Sequence, residues 1–121
     1  MKYKNMLCIA ALTASALLTG CATHKDTFYW GDYEEIIYDM YINPGSADST
    51  TQISRLTTDI QKADAESKPV GPGIHAHLGY MYALEGNIAQ AKSEFLIEKS
   101  LYPESAILID GMMGRINGEP N

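Results

Sequence analysis

Cysteine is nearly absent from this chain of 121 residues: there are two, Cys8 and Cys21. Beyond Cys21 the sequence therefore holds no material for a disulfide or a catalytic thiol. Basic residues are also scarce. Nine Lys and Arg stand against 15 Asp and Glu, for a formal charge of −6. Phosphate binding needs a basic stripe, so this balance argues against a nucleic-acid binder. No apolar run reaches the roughly 20 residues that a helix needs to cross a bilayer. No Gly-x-Ser-x-Gly elbow presents a nucleophile, and no glycine loop cradles phosphate, since Gly71 and Gly73 flank a proline. No run alternates as a strand would.

What is present begins at the N-terminus. Lys2 and Lys4 precede an apolar stretch, Met6 to Leu18, interrupted only by Thr13 and Ser15, and no acid appears before Cys21. The stretch has the length of a secretory signal. It ends in Leu18-Thr19-Gly20-Cys21, which resembles the bacterial lipobox Leu-x-Gly-Cys. That resemblance implies a diacylglyceryl group on the Cys21 thiol, cleavage before Cys21 and acylation of the new amine. No other cofactor is expected. In enterobacteria-like sorting an Asp after the cysteine retains the protein in the inner membrane. Ala22 stands here, which implies the outer membrane, on its periplasmic face, with surface exposure left open. The expected organisation is a signal at 1–20, a lipidated tether at 21–27, a helical domain at 28–116 and a flexible tail at 117–121. Loss of residues 1–20 removes Lys2 and Lys4 and no acid, taking the charge from −6 to −8.

The rest reads as all-α, a short α-α stack of about five helices. Trp30, Tyr33, Ile37 and Tyr41 recur at helical spacing, with Asp32, Glu34 and Glu35 at the start, where acids suit the helix dipole. Asn43-Pro44-Gly45-Ser46 breaks this helix, and Asp48 or Ser49 caps the next. There Ile53, Leu56, Ile60 and Ala63 form a narrow apolar stripe. Pro69 to Gly73 is a rigid turn. Ile74, Leu78, Met81 and Tyr82 share the face of a third helix that ends at Gly86. Ile88 to Tyr102 forms a fourth, stopped by Pro103. Ile107, Leu108, Met112 and Ile116 belong to a last one.

Leu78, Gly79, Tyr82, Gly86, Ala91, Phe95 and Pro103 resemble the tetratricopeptide repeat (TPR), whose unit is about 34 residues. Gly79 and Ala91 are small where two antiparallel helices approach, and Leu78, Tyr82 and Phe95 fill the space between them. His75 and Glu98 depart from the pattern, standing where Trp and Ala are usual. At Glu98 this implies a solvated neighbour or a polar contact. At the same period Pro44 falls on the Leu position, so no second regular repeat is expected. The mature chain as a whole resembles a family of small bacterial periplasmic lipoproteins, a domain of unknown function with TPR-like character. The resemblance rests on Tyr29-Trp30-Gly31-x-Tyr33-Glu34, on Pro69 to Tyr80 and on Phe95-x-x-Glu98-Lys99-x-x-x-Pro103-Glu104-Ser105. Such proteins are often encoded beside a lipoprotein similar to the curli-secretion pore CsgG, which implies an envelope assembly.

The candidate sites are few. His75 and His77 suggest a metal, but on a helix they point about 200° apart, and no third or fourth ligand is evident. They are expected to be structural or interfacial, with no metal bound. The concave face of a TPR domain is lined mainly by its first helices. By resemblance Ala76, His77, Tyr80, Ala83 and Leu84 lie there, an apolar, aromatic-edged surface for a partner segment. The Lys and Asn pattern that clamps a peptide carboxylate is absent. Phe28, Tyr29, Trp30 and Tyr33 are expected to close the core; a docking surface around Trp30 and a membrane-interface anchor are the alternatives. The expected function is a non-enzymatic adaptor or assembly factor with envelope partners, including a CsgG-like lipoprotein. Self-association into an envelope structure is a second reading, and a metal-binding or enzymatic accessory domain a weaker third.

Overall fold

Residues 26–45 and 47–118 are described by a computed structural model. The expected signal and Cys21, the expected tether as far as residue 25 and the expected tail beyond Gly118 lie outside the described residues. Five α-helices follow in order: α1 (Tyr33–Ile42), α2 (Ser49–Ala65), α3 (Ile74–Leu84), α4 (Ile88–Leu101) and α5 (Ala106–Asn117). A 3-10 turn, Pro103–Ser105, leads into α5. Among the described residues there is no strand, only a parallel bridge between Tyr29 and Val70.

α3 is central. Its neighbours in the chain, α2 and α4, pack on it, and α5 packs on α4. Two apolar clusters meet at α3. One joins Ile36, Leu56, Ala63 and Val70 to Ile74 and Leu78; the other joins Ala76 to Ala91, Phe95 and Ile109. This double duty explains why α3 is apolar nearly all round, as a helix buried on both sides must be. α3 and α4 approach most closely at Gly79. A Cβ there would lie 2.7 Å from the Phe95 ring and 3.1 Å from the Ala91 carbonyl oxygen. Gly86, at φ +75°, turns the chain between them, and the Asn87 side chain accepts the Gln90 N–H to start α4. Asp48 caps α2 in the same way, accepting the Thr51 N–H at 2.7 Å.

α1 and α3 have no side-chain cap of their own. Each instead receives a carboxylate from the next helix. Asp59 Oδ2 on α2 accepts the N–H of Asp32, the residue that opens α1, at 2.7 Å. Glu98 Oε1 on α4 accepts the N–H of Gly73, which opens α3, at 2.8 Å, and its Oε2 accepts the Ala76 N–H at 3.3 Å. Both carboxylates are 1 % exposed. The turns leading in also match: Tyr33 N–H donates to Trp30 O, and Ile74 N–H to Gly71 O. The buried positions Gln52, Leu56, Asp59 and Ala63 correspond, in the same order and spacing, to Ala91, Phe95, Glu98 and Tyr102. The helix pairs α1–α2 and α3–α4 thus share one design, although no second regular repeat is readable in the residue types. Glu98 takes the polar-contact alternative.

The aromatic segment differs from its expected helical phase. α1 begins at Tyr33, so Trp30 precedes it. Gly31 has φ +50°, and the Asp59 carboxylate fills the space a side chain would need there, at 2.3 Å from a Cβ. Upstream of that turn the chain is extended: Tyr29 N–H donates to Pro69 O at 2.8 Å, and Gly71 N–H to Tyr29 O at 3.2 Å. The Trp30 ring covers Gly71, where a Cβ would fall 2.3 Å from it. Within α1, Ile36 is the one fully buried residue, while Tyr41 is 81 % exposed. The stripe Trp30, Tyr33, Ile37 and Tyr41 is therefore the edge of the core rather than its floor.

Candidate partner groove

α1 and α3 are the first helices of their pairs, α5 follows as the last helix, and the exposed sides of the three converge. Tyr33, Ile37 and Met40 on α1, Ala76 and Tyr80 on α3, and Leu108 and Met112 on α5 line an open, almost wholly apolar groove of about 380 Å³. Tyr33 and Ile37 form a ridge shared with a second apolar hollow of about 510 Å³, walled by Trp30, Tyr38, Tyr41 and Ile42, with Glu34 the one charged residue at its rim. Tyr80, Met40 and Leu108 are all exposed, a large apolar surface for so small a domain.

His77 supports the groove from below. Its Nε2 lies 2.9 Å from Gln52 Oε1, while Gln52 Nε2 donates to Ala47 O at 3.0 Å. With the Gln52 oxygen facing the ring, Nε2 carries the proton and donates. The Tyr33 ring meets His77 edge to face, with centroids 5.8 Å apart. Burial pushes the His77 pKa below its usual value of 6.5, because the charged ring would lose its hydration. Burial, and after it the Glu98 charge, pushes the Tyr33 phenol up. Both rings are thus neutral at the groove wall.

The residues expected to bind a partner fall into separate places. Tyr80 and His77 line the groove, and Trp30 belongs to the adjoining hollow. Ala83 packs into the second apolar cluster, and Leu84, exposed at the end of α3, lines neither hollow. Both sit on the first helix of the hairpin, but the rotation of α3 turns Ala83 toward α5. Ile37, Met40, Leu108 and Met112 were not singled out for the groove. Their signal was available as apolar residues left over on the first and last helices.

His75 and His77 serve different neighbours. His75 Nδ1 lies 2.7 Å from Glu94 Oε2 on α4, and His77 bonds to α2. Among the described residues no group of three or more His, Cys, Asp or Glu is placed to hold a metal. The TPR-pattern residues lie at the hairpin: Leu78, Gly79, Ala91 and Phe95 are buried, Tyr82 is half-buried, Gly86 makes the turn and Pro103 opens the 3-10 turn.

Residues 27–112 match a protein family described as a domain of unknown function, DUF4810. The chain belongs to the DUF4810 family. No curated protein and no solved structure matches it. The DUF4810 match begins just before the Tyr29–Val70 bridge and ends at Met112 on the wall of the groove. It therefore spans both carboxylate-capped helix pairs and every groove residue named above.

Proposed function

We propose that this chain is an outer-membrane lipoprotein of the periplasmic face that acts as a non-enzymatic adaptor in an envelope assembly. Its helical domain is read as TPR-like, and a CsgG-like lipoprotein is the partner its family resemblance suggests. The observation that carries the reading is the apolar groove across α1, α3 and α5, built from the helices that line the concave face of TPR domains. Leu18-Thr19-Gly20-Cys21 supports the anchor, with three acyl chains where two membrane signals already hold stably. Anchoring would raise the effective concentration of the groove toward neighbours on the same membrane.

The reading is tested in cells with a photo-crosslinking amino acid at position 80 or 40, and at position 93 on the outer side of α4. Adducts to a CsgG-like lipoprotein from positions 80 and 40 alone are expected. Equal adducts from position 93, or none from the groove, would remove the adaptor role. Membrane fractionation of Cys21→Ala tests the anchor separately, with release to the soluble fraction expected.

A second reading is self-association. It is favoured by Ile107, 91 % exposed on α5, since the outer helix of a finished stack normally presents a polar face. Light scattering on the purified chain distinguishes the two, because a strict monomer excludes self-association.

A further inference from the structure

On the other side of α3 from the partner groove lies a groove of different chemistry. It runs between α2 and α4 and encloses about 450 Å³. His75 and Glu94 form its inner wall, with side chains only 9 % and 12 % exposed. A carboxylate can only accept, so the His75 Nδ1 carries the proton that joins it to Glu94 Oε2 at 2.7 Å. In the neutral ring Nε2 is then left as an acceptor, and no hydrogen bond occupies it among the described residues. Thr57, on α2, also lines the groove, and its hydroxyl is buried with no hydrogen-bond partner among the described residues. Asp64, also on α2, lines the groove and joins no ion pair among the described residues.

The charge of the lining has one sign. Asp64 and Glu94 contribute carboxylates, and neither Lys nor Arg lines the groove. Gln61, Gln90 and Tyr82 add neutral polar groups, and Ile60, Leu78, Ile97 and Leu101 make the apolar part of the wall. Acceptors and carboxylates in one groove, beside an apolar stretch of wall, complement a hydrogen-bond-donating cation on an alkyl stem. An anion would meet two carboxylates, and a neutral apolar ligand would give neither the carboxylates nor His75 Nε2 a donor. We propose that the groove over His75 and Glu94 is a binding site for an alkyl ammonium group, carried by a free amine or by a lysine side chain of a polypeptide. The ammonium donates to His75 Nε2 and to the carboxylates, and its stem lies against Ile97 and Leu101.

The test is a titration followed by NMR, on the full chain in detergent. The probes are n-butylammonium, the blocked peptide acetyl-Ala-Ala-Lys-Ala-Ala-amide and, as the control of opposite charge, butyrate. Both amines should shift the His75 ring and the Ile97 and Leu101 methyl signals, and butyrate should not. Asp64→Asn, at an exposed position and with circular dichroism to establish that it is folded, should weaken amine binding by about tenfold, the loss of one charge-assisted contact. Glu94→Gln should do the same, with circular dichroism to establish that it is folded. Tighter binding of the peptide assigns the site to a polypeptide, and tighter binding of butylammonium assigns it to a free amine. The proposal is overturned if neither amine shifts these signals, if butyrate shifts them equally, or if Asp64→Asn leaves the affinity unchanged.

Discussion

Asp59 and Glu98 occupy the same station in successive helix pairs. Each projects from the second helix of its pair, is 1 % exposed, and accepts the N–H that opens the first helix. The arrangement ties the two helices of each pair together at the end away from their connecting turn, and it places negative charge at a helix N-terminus, where the dipole favours it. The pairs differ in how fully the carboxylate is used. Glu98 serves two N–H groups, whereas Asp59 Oδ1 is buried without a hydrogen bond.

Glu98→Ala should lower stability by about 2–4 kcal/mol, because two buried N–H groups lose a charged acceptor. Glu98→Gln, which keeps one acceptor oxygen, should cost less. Chemical denaturation of both variants decides it, and equal stability of Glu98→Ala and wild type would show that the cap does not hold α3.

Gly79→Ala should destabilise by about 1–3 kcal/mol, since its Cβ would press on the Phe95 ring at 2.7 Å. Phe95→Leu, destabilising alone, should recover part of the loss when combined with Gly79→Ala. A double-mutant cycle measures this coupling, and additive losses would mean that the two residues do not meet.

Stability should fall as pH drops through about 6.5. The His77 pKa is depressed in the fold, so below its usual value of 6.5 the unfolded chain binds a proton that the folded chain resists. His77→Gln should flatten this part of the pH profile. Thermal melts between neutral pH and mild acid check the slope, and an unchanged slope in His77→Gln would place its origin elsewhere.

Asp59 works in the opposite sense. Burial, outweighing the Asp32 N–H bond that lowers it, raises the Asp59 pKa above the usual 3.8. The folded chain therefore binds this proton more readily than the unfolded one, so the Asp59 contribution becomes more favourable as pH falls through its raised pKa. Asp59→Asn keeps an oxygen for Asp32 and removes the buried charge, so stability at neutral pH should hold or rise. Asp59→Ala should lose about 1–3 kcal/mol. Gly31→Ala should also destabilise, because its Cβ would strike the Asp59 carboxylate at φ +50°. Urea titrations at pH 7 rank the three.

The helices were legible because their signals are local. Apolar spacing, the Asp48 and Asn87 caps, Gly86 and Pro103 each act within a few residues. The shared design of the two pairs was not legible, because it rests on backbone N–H groups meeting carboxylates 27 and 25 residues away, with different residue types at each end. Glu98 stood out as a departure from the TPR pattern, and the structure shows the contact that accounts for it. Trp30 was misplaced because helical spacing alone does not reveal that Gly31 must turn and that Tyr29 bonds to the α2–α3 loop. The groove was half legible: Tyr80 and His77 follow from the hairpin, but Met40 and Leu108 enter it only once α1 and α5 are set beside α3.

The Tyr29–Val70 bridge also determines how the domain bears a load. A pull on the chain ahead of Tyr29, such as tension from a lipid anchor, reaches the bridge before it reaches α1. Two hydrogen bonds at Tyr29 pass it to Pro69 and Gly71, and the Trp30 ring wedged on Gly71 resists sliding. The Tyr102 hydroxyl, donating to Val70 O, carries the strain on to the end of α4. Force entering ahead of Tyr29 is thus shunted past α1 into the middle of the stack, and the helix that forms one wall of the groove is spared that tension.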